Sequence, residues 1–170
     1  INQVVRGPNR CLQVKGSKIF LGTISGLYEI SSETTCSEVF NQNFQSFGYV
    51  YSLTVDKKDD LWIATLGQGL WKEQNGEFIG VYDQNLDPKG NTYTVSTNEL
   101  GQTIVIQQEN IILIDDQLNS HIILKEYPLG GWTGCWLNNE NIAVGSSDGI
   151  CIINVPEKKI LQRINLFLDR

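Results

Sequence analysis

Methionine is absent from this chain of 170 residues, histidine occurs once and proline four times. Without Met at position 1, the sequence is expected not to begin at a native start codon. A processed form, a trimmed chain or a segment of something longer is expected, and a removed signal peptide fits that expectation. Any Ser-His-Asp or Cys-His device would have to use His121, and no GxSxG elbow stands with it. A partly exposed strand histidine is expected instead, and no catalytic residues. No run approaches ~18 consecutive apolar residues, so no direct insertion in a membrane is expected of this segment. Basic charge is also scarce: 13 Lys and Arg against 19 Asp and Glu leave a net charge of −6. That balance argues against nucleic acid and anionic lipid as partners.

The four cysteines, Cys11, Cys36, Cys135 and Cys151, form no CxxC and have no His at metal-ligand spacing. No metal site and no cofactor is expected. Cys11, Cys135 and Cys151 lie in the apolar runs CLQV, GCWL and GICIIN, as buried unpaired thiols do. In VDKKDD (55–60), Lys58 falls where an EF-hand-like loop needs a second acid, so this stretch is expected to be a hairpin turn.

What the chain does contain is a repeat. Short runs rich in Val, Ile, Leu, Trp and Tyr recur between Gly, Asn, Asp and Ser, the pattern of many short strands. Four segments superpose: KIFLGTISGLYEI (18–30), DLWIATLGQGLWKE (60–73), QTIVIQQENIILID (102–115) and NIAVGSSDGICIIN (141–154). With Thr23, Thr65, Gln107 and Gly145 equivalent, the spacings are 42, 42 and 38 residues. The residue before each second strand is Gly26, Gly69, Asn110 or Gly149, types that enter left-handed backbone cheaply. The next is always aliphatic: Leu27, Leu70, Ile111, Ile150. Leading strands are expected at 10–14, 49–55, 92–97 and 132–137, and trailing ones at 37–42, 77–82, 121–127 and 159–166.

Four strands in ~42 residues make one blade of a β-propeller, an antiparallel sheet needing neighbours on both faces. The expected fold is all-β: four four-stranded antiparallel blades at approximately 6–42, 48–83, 91–127 and 130–168, part of a larger propeller. Residues 1–5 then read as the outer strand of a preceding blade. Strands are named A to D from the centre outward.

The second repeat, VYSLTVDKKDDLWIATLGQGLWKEQNGEF (50–78), resembles the two-component regulator propeller repeat, V-x-S-I-x-x-D-x-x-G-x-L-W-I-G-T-x-x-x-G-L. Val50, Ser52, Leu53, Asp56, Leu61, Trp62, Ile63, Thr65, Gly69 and Leu70 carry the match. Repeat 1 keeps its core in IFLGTISGLYEI, with Phe20 at the Trp position. Asp59 stands where the turn Gly is usual, Ala64 replaces the Gly before Thr65, and repeats 3 and 4 are degenerate. The resemblance implies the periplasmic or extracellular sensing region of a membrane-anchored bacterial two-component protein, many of which sense saccharides. A non-catalytic scaffold for protein contacts is the alternative. WD-repeat propellers share the period, but their Gly-His and Trp-Asp dipeptides are missing. A streptogramin-lyase-like propeller needs a His and an acid near the channel with a metal, whereas His121 falls in an outer strand.

Propeller ligands sit over the central channel, among loops at one end of the strands. The B–C and D–A loops share that end and carry Gln68, Gln107, Gln108, Glu109, Ser146, Ser147 and Asp148, then Asn85, Lys89, Asn91 and Trp132. Amides, carboxylates and an aromatic platform suit a sugar. Trp62, Trp71 and Trp136 are expected in packing, and Trp132, after Leu129-Gly130-Gly131, exposed. Tyr49, Tyr51 and Tyr93 in the leading strands could line the channel. The expected ligand-binding set is thus Gln68, Glu109, Asp148, Asn91, Trp132, Tyr49, Tyr51 and Tyr93. The partners expected are a small molecule such as an oligosaccharide, and the remaining blades or another copy of the chain.

Overall fold

The computed structural model describes residues 8–32, 35–125 and 132–165. The strand expected at 1–5 lies outside them. Blade 1 comprises β1 (Asn9–Lys15), β2 (Lys18–Thr23), β3 (Leu27–Ser32) and β4 (Thr35–Val39). Blade 2 comprises β5 (Tyr49–Val55), β6 (Leu61–Leu66), β7 (Leu70–Gln74) and β8 (Glu77–Val81). Blade 3 comprises β9 (Thr92–Thr97), β10 (Thr103–Gln107), β11 (Asn110–Ile114) and β12 (Ser120–Leu124). Blade 4 comprises β13 (Thr133–Trp136), β14 (Asn141–Ser146), β15 (Gly149–Asn154) and β16 (Lys159–Asn165). Each blade is one antiparallel sheet whose strands pair in sequence order, so pairing stays within the repeat. No helix among the described residues is long and apolar enough to cross a membrane.

The Thr of the repeat closes the B–C turn. Thr23 and Thr65 each donate both N–H and hydroxyl to the carbonyl of the following Gly, Gly26 or Gly69, at 2.8–3.0 Å. Gly26, Gly69 and Gly149 take φ of 159°, 67° and 146°, which a side chain would resist. Asn110 departs from the expectation. Gln107 pairs with Asn110 across a two-residue turn, and the left-handed residue is Gln108, at φ 53°. At the opposite end, Asp56, Asn98 and Asn138 fold the A–B turns by accepting two backbone N–H groups each. VDKKDD is such a turn, with Asp59 at φ 64° in the place of the missing Gly.

Three apolar clusters fill the three seams between consecutive blades. Phe20, Leu27, Phe47, Val50, Ile63 and Trp71 pack blade 1 on blade 2. Trp62, Ala64, Leu70, Val95, Val105 and Ile112 join blades 2 and 3, and Ile104, Ile106, Ile142, Val144, Cys151 and Ile153 join blades 3 and 4. Each fully buried large side chain contributes roughly 1.5–3 kcal/mol. The inner strands are also stitched by hydrogen bonds. Ser52 Oγ donates to Val95 O, Thr97 Oγ1 to Val55 O, and Trp136 Nε1 to Ser96 O, at 3.0–3.3 Å. The outward faces of blades 1 and 4 leave Leu12 and Val14, and Ile150 and Ile164, exposed.

The cysteines are free, but not uniformly buried. Cys151 is buried, Cys11 and Cys36 are half-buried, and Cys135 is exposed, contrary to expectation. Gly134 meets Ile106 across the seam and Trp136 reaches Ser96, so the alternation of β13 turns Cys135 to the outward face. On the seam side of β1, burial pushes the Cys11 thiol up to about 12.

Candidate functional site

Strand A of the first three blades shares one irregularity. In β1 the pairing steps from Asn9↔Thr23 to Cys11↔Gly22, in β5 from Val50↔Thr65 to Ser52↔Ala64, and in β9 from Thr92↔Gln107 to Thr94↔Ile106. Each step is a β-bulge opposite the residue that marks the repeat. The residues left without a partner on strand B are Arg10, Tyr51 and Tyr93. A bulge re-aims a side chain and accentuates the local twist, and here it does so at the same height in three neighbouring blades.

The re-aimed side chains meet. The Tyr51 and Tyr93 rings lie 5.7 Å apart, edge to face, across the seam between blades 2 and 3. Tyr49 lies 5.9 Å from Tyr51 at 34°, and the Arg10 guanidinium stacks over Tyr49 at 5.3 Å from the ring centre. The result is a continuous row, Arg10–Tyr49–Tyr51–Tyr93, on the inner strands near the B–C end. All three rings are half-buried, and Arg10 is exposed and makes no ion pair among the described residues. Such a row offers apolar ring faces, phenolic hydroxyls that donate and accept, and one fork of guanidinium donors.

The expected site residues are thus only partly brought together. Tyr49, Tyr51 and Tyr93 come together in the row. Trp132, 54% exposed, holds in blade 4 the place of Tyr49 in blade 2 and Asn91 in blade 3, just ahead of the residue paired to the repeat marker. Its carbonyl accepts from Thr94 Oγ1 at 3.2 Å, which fixes its backbone against blade 3. Asn91 is exposed, and its carbonyl is taken by the Gln108 N–H at 2.8 Å. Glu109 and Asp148 stand exposed at the tips of separate B–C turns and do not join the row. Gln68 also lies apart, tying two loops together through Nε2 to Ser46 O at 3.2 Å.

Two other loop residues singled out in the sequence prove to be architectural. Gln107 is buried, bridging Asp87 N, Asp87 O and Thr92 Oγ1, and Asn85 Nδ2 bonds Ser120. Sequence reasoning missed Arg10. Its signal was available, since the strand-A columns place Arg10 of RCLQV in line with Tyr51 of YVYSLTV. His121 lies in β12, the outermost strand of blade 3, with Nε2 3.1 Å from Asp115 Oδ2. Burial opposes the ionised Asp115 carboxylate, but hydrogen bonds from Asn119 and His121 outweigh it and hold the pKa at about 2. Among the described residues no cluster of three His, Cys, Asp or Glu could hold a metal ion.

Four four-stranded blades, three apolar seams and inner-strand stitching define a β-propeller chain. No family model and no curated protein matches it. Solved propellers do match. The extracellular domain of the one-component system BT4673 of B. thetaiotaomicron superposes with a TM-score of 0.78 at 14% identity, over 96% of this chain and 23% of that one. The extracellular domain of the hybrid two-component system BT3049 of the same organism gives 0.71 at 16% identity, over 96% and 24%. A catalytically inactive virginiamycin B lyase of Staphylococcus aureus, solved with quinupristin, gives 0.72 at 11% identity, over 95% and 56%. The chain thus spans about a quarter of the two extracellular domains. At these identities the likeness establishes the fold.

Proposed function

We propose that the chain is part of an extracytoplasmic, non-catalytic sensing region of a bacterial two-component protein, and that the Arg10–Tyr49–Tyr51–Tyr93 row binds its ligand, a saccharide. The observation that carries this reading is the triple bulge. Three blades depart from regular pairing at one height, and each departure delivers a side chain to the same row. A packing role would not need the register broken three times. Ring faces stack on the apolar side of a pyranose, while phenol and guanidinium groups meet its hydroxyls. The likeness to extracellular domains of two-component systems supports the sensor class, and the repeat resemblance supports the same class independently. The one His lies at the outer edge, far in the sheet order from the inner strands, which supports a non-catalytic role.

A thermal-shift screen of oligosaccharides tests the reading. A ligand that binds only the folded state raises the melting temperature by mass action. The shift is expected to vanish in Tyr51→Ala, to shrink in Trp132→Ala, and to persist in His121→Ala, Glu109→Ala and Asp148→Ala. A shift that survives Tyr51→Ala and disappears in Asp148→Ala would move the site to the loop tips.

A second reading, a scaffold for protein contacts, is favoured by the exposed apolar outward faces of blades 1 and 4. In the sensor reading these faces pack against further blades of the same propeller. A flat saccharide screen on a propeller with both faces covered would favour the scaffold.

A further inference from the structure

A concavity of about 520 Å³ lies between the rims of blades 1 and 2, and its lining includes no residue of the tyrosine row. That volume is within the range of small-molecule sites. One wall is the D–A loop of blade 1, which crosses onto blade 2 where Gln42 N donates to Phe78 O at 3.1 Å. The loop is preformed: Asn41, itself buried, accepts the N–H groups of Asn43 and Gln45 on Oδ1. It also holds Phe44 at φ 58° and 90% exposed, a costly conformation for an aromatic residue. Gln68 and Lys89 close the other sides.

The floor is aromatic because a side chain is missing. A Cβ on Gly80 would lie 3.5 Å from the Tyr82 ring and 3.6 Å from the Trp71 ring, so glycine leaves the space between them open. Tyr82 is 63% exposed, and the indole N–H of Trp71 is already committed to Gln68 O at 2.8 Å. Among the described residues no carboxylate lines the cleft; its side-chain polar groups are the carboxamides of Gln42, Asn43 and Gln45, the Gln68 carboxamide oxygen, the Tyr82 hydroxyl and one ammonium. Across the next seam the corresponding corner is tied by three bonds linking Gln107 and Gln108 to Asp87, where here the tie is Gln68 Nε2 to Ser46 O.

We infer that this cleft is a binding site for a neutral pyranose, separate from the tyrosine row and independent of the row's being a ligand site. The ring's apolar face rests on Tyr82 over Gly80. Paired hydroxyls are met by carboxamides, which donate and accept from adjacent atoms, and by the Lys89 ammonium. A peptide would find few apolar side pockets here, and an anion only one cation. Because the walls are held by their own hydrogen bonds, little ordering is required on binding.

Saturation-transfer NMR with methyl β-D-glucopyranoside and methyl β-D-galactopyranoside on the 170-residue chain tests the inference. Transfer from protein to ring protons of at least one glycoside is expected. Gly80→Val fills the floor, and position 80 has no left-handed backbone to strain it. Tyr82→Ser, at an exposed position, is the second variant. Made in the Tyr51→Ala chain, so that the row does not contribute, both should reduce transfer by roughly tenfold, while His121→Ala, on the outer strand of blade 3, leaves it unchanged. Absence of transfer to the wild-type chain overturns the inference, as does transfer undiminished in both cleft variants. Transfer already lost in Tyr51→Ala alone would place the glycoside on the row and likewise overturn the cleft.

Discussion

Asp56 concentrates more chemistry than any other side chain in the second repeat. Its Oδ1 accepts the N–H groups of Lys58 and Asp60, and its Oδ2 accepts from Trp62 Nε1 at 2.9 Å and from Lys72 Nζ at 2.9 Å. Lys72 is 4% exposed, pairs also with Asp60 at 3.0 Å, and lies 4.8 Å over the Trp62 ring. Asp56→Ala would leave a buried ammonium short of its partner and untie the turn. A loss of about 3–5 kcal/mol in chemical denaturation is expected, with Asp56→Asn losing less. Burial raises the Asp56 pKa, but hydrogen bonds from Trp62, Lys72 and Asp60 outweigh it and the net direction is down. A carboxylate depressed on folding contributes stability above its unfolded pKa of ~4, lost as pH falls through the folded value. Denaturation midpoints should therefore drop below pH ~4, and less steeply in Asp56→Asn. Asp59 offers the opposite case. It occupies a left-handed position where Gly is cheaper, so Asp59→Gly should stabilise by up to about 1 kcal/mol, less what Gly adds to the entropy of the unfolded chain.

Among the elements, the seams explain why the repeat could be read and the site only in part. The markers Thr23 and Thr65 are visible in sequence because they close turns through local hydrogen bonds. Trp62 and Leu70 are visible because they are buried. The bulges are different. A bulge is a register between two strands and leaves no residue type behind, so Tyr49, Tyr51 and Tyr93 were legible as leading-strand tyrosines but their convergence was not. Arg10 was hidden because it is an arginine in a column of tyrosines. Gln107 misled for the converse reason: it looks like a loop amide and is a buried bridge. One seam can be tested directly. A Cβ on Gly22 would collide with Cys11 Sγ and approach Val50 Cγ1 to 2.7 Å, so Gly22→Ala should cost about 1–3 kcal/mol through overpacking. The blade 2 counterpart is already Ala64, and Ala64→Gly should lose much less.

For the molecule as a whole, four blades joined by three seams leave two apolar faces outward. Uncovered faces of this kind drive association. Light scattering on the chain should give a mass that rises with concentration, reduced by Leu12→Lys and Ile150→Lys together; a monodisperse monomer would mean that the faces need no partner. At one end of the blades the bulges bring Arg10, Tyr51 and Tyr93 together with Tyr49, and the proposed sensing role depends on that end. The most direct measurement is a titration of the chain, carrying isotope-labelled tyrosine, with a saccharide that raises its melting temperature, followed through the ring signals. Tyr49, Tyr51 and Tyr93 should shift together and saturably, with Tyr28 unmoved. Binding that leaves those three signals in place would contradict the account.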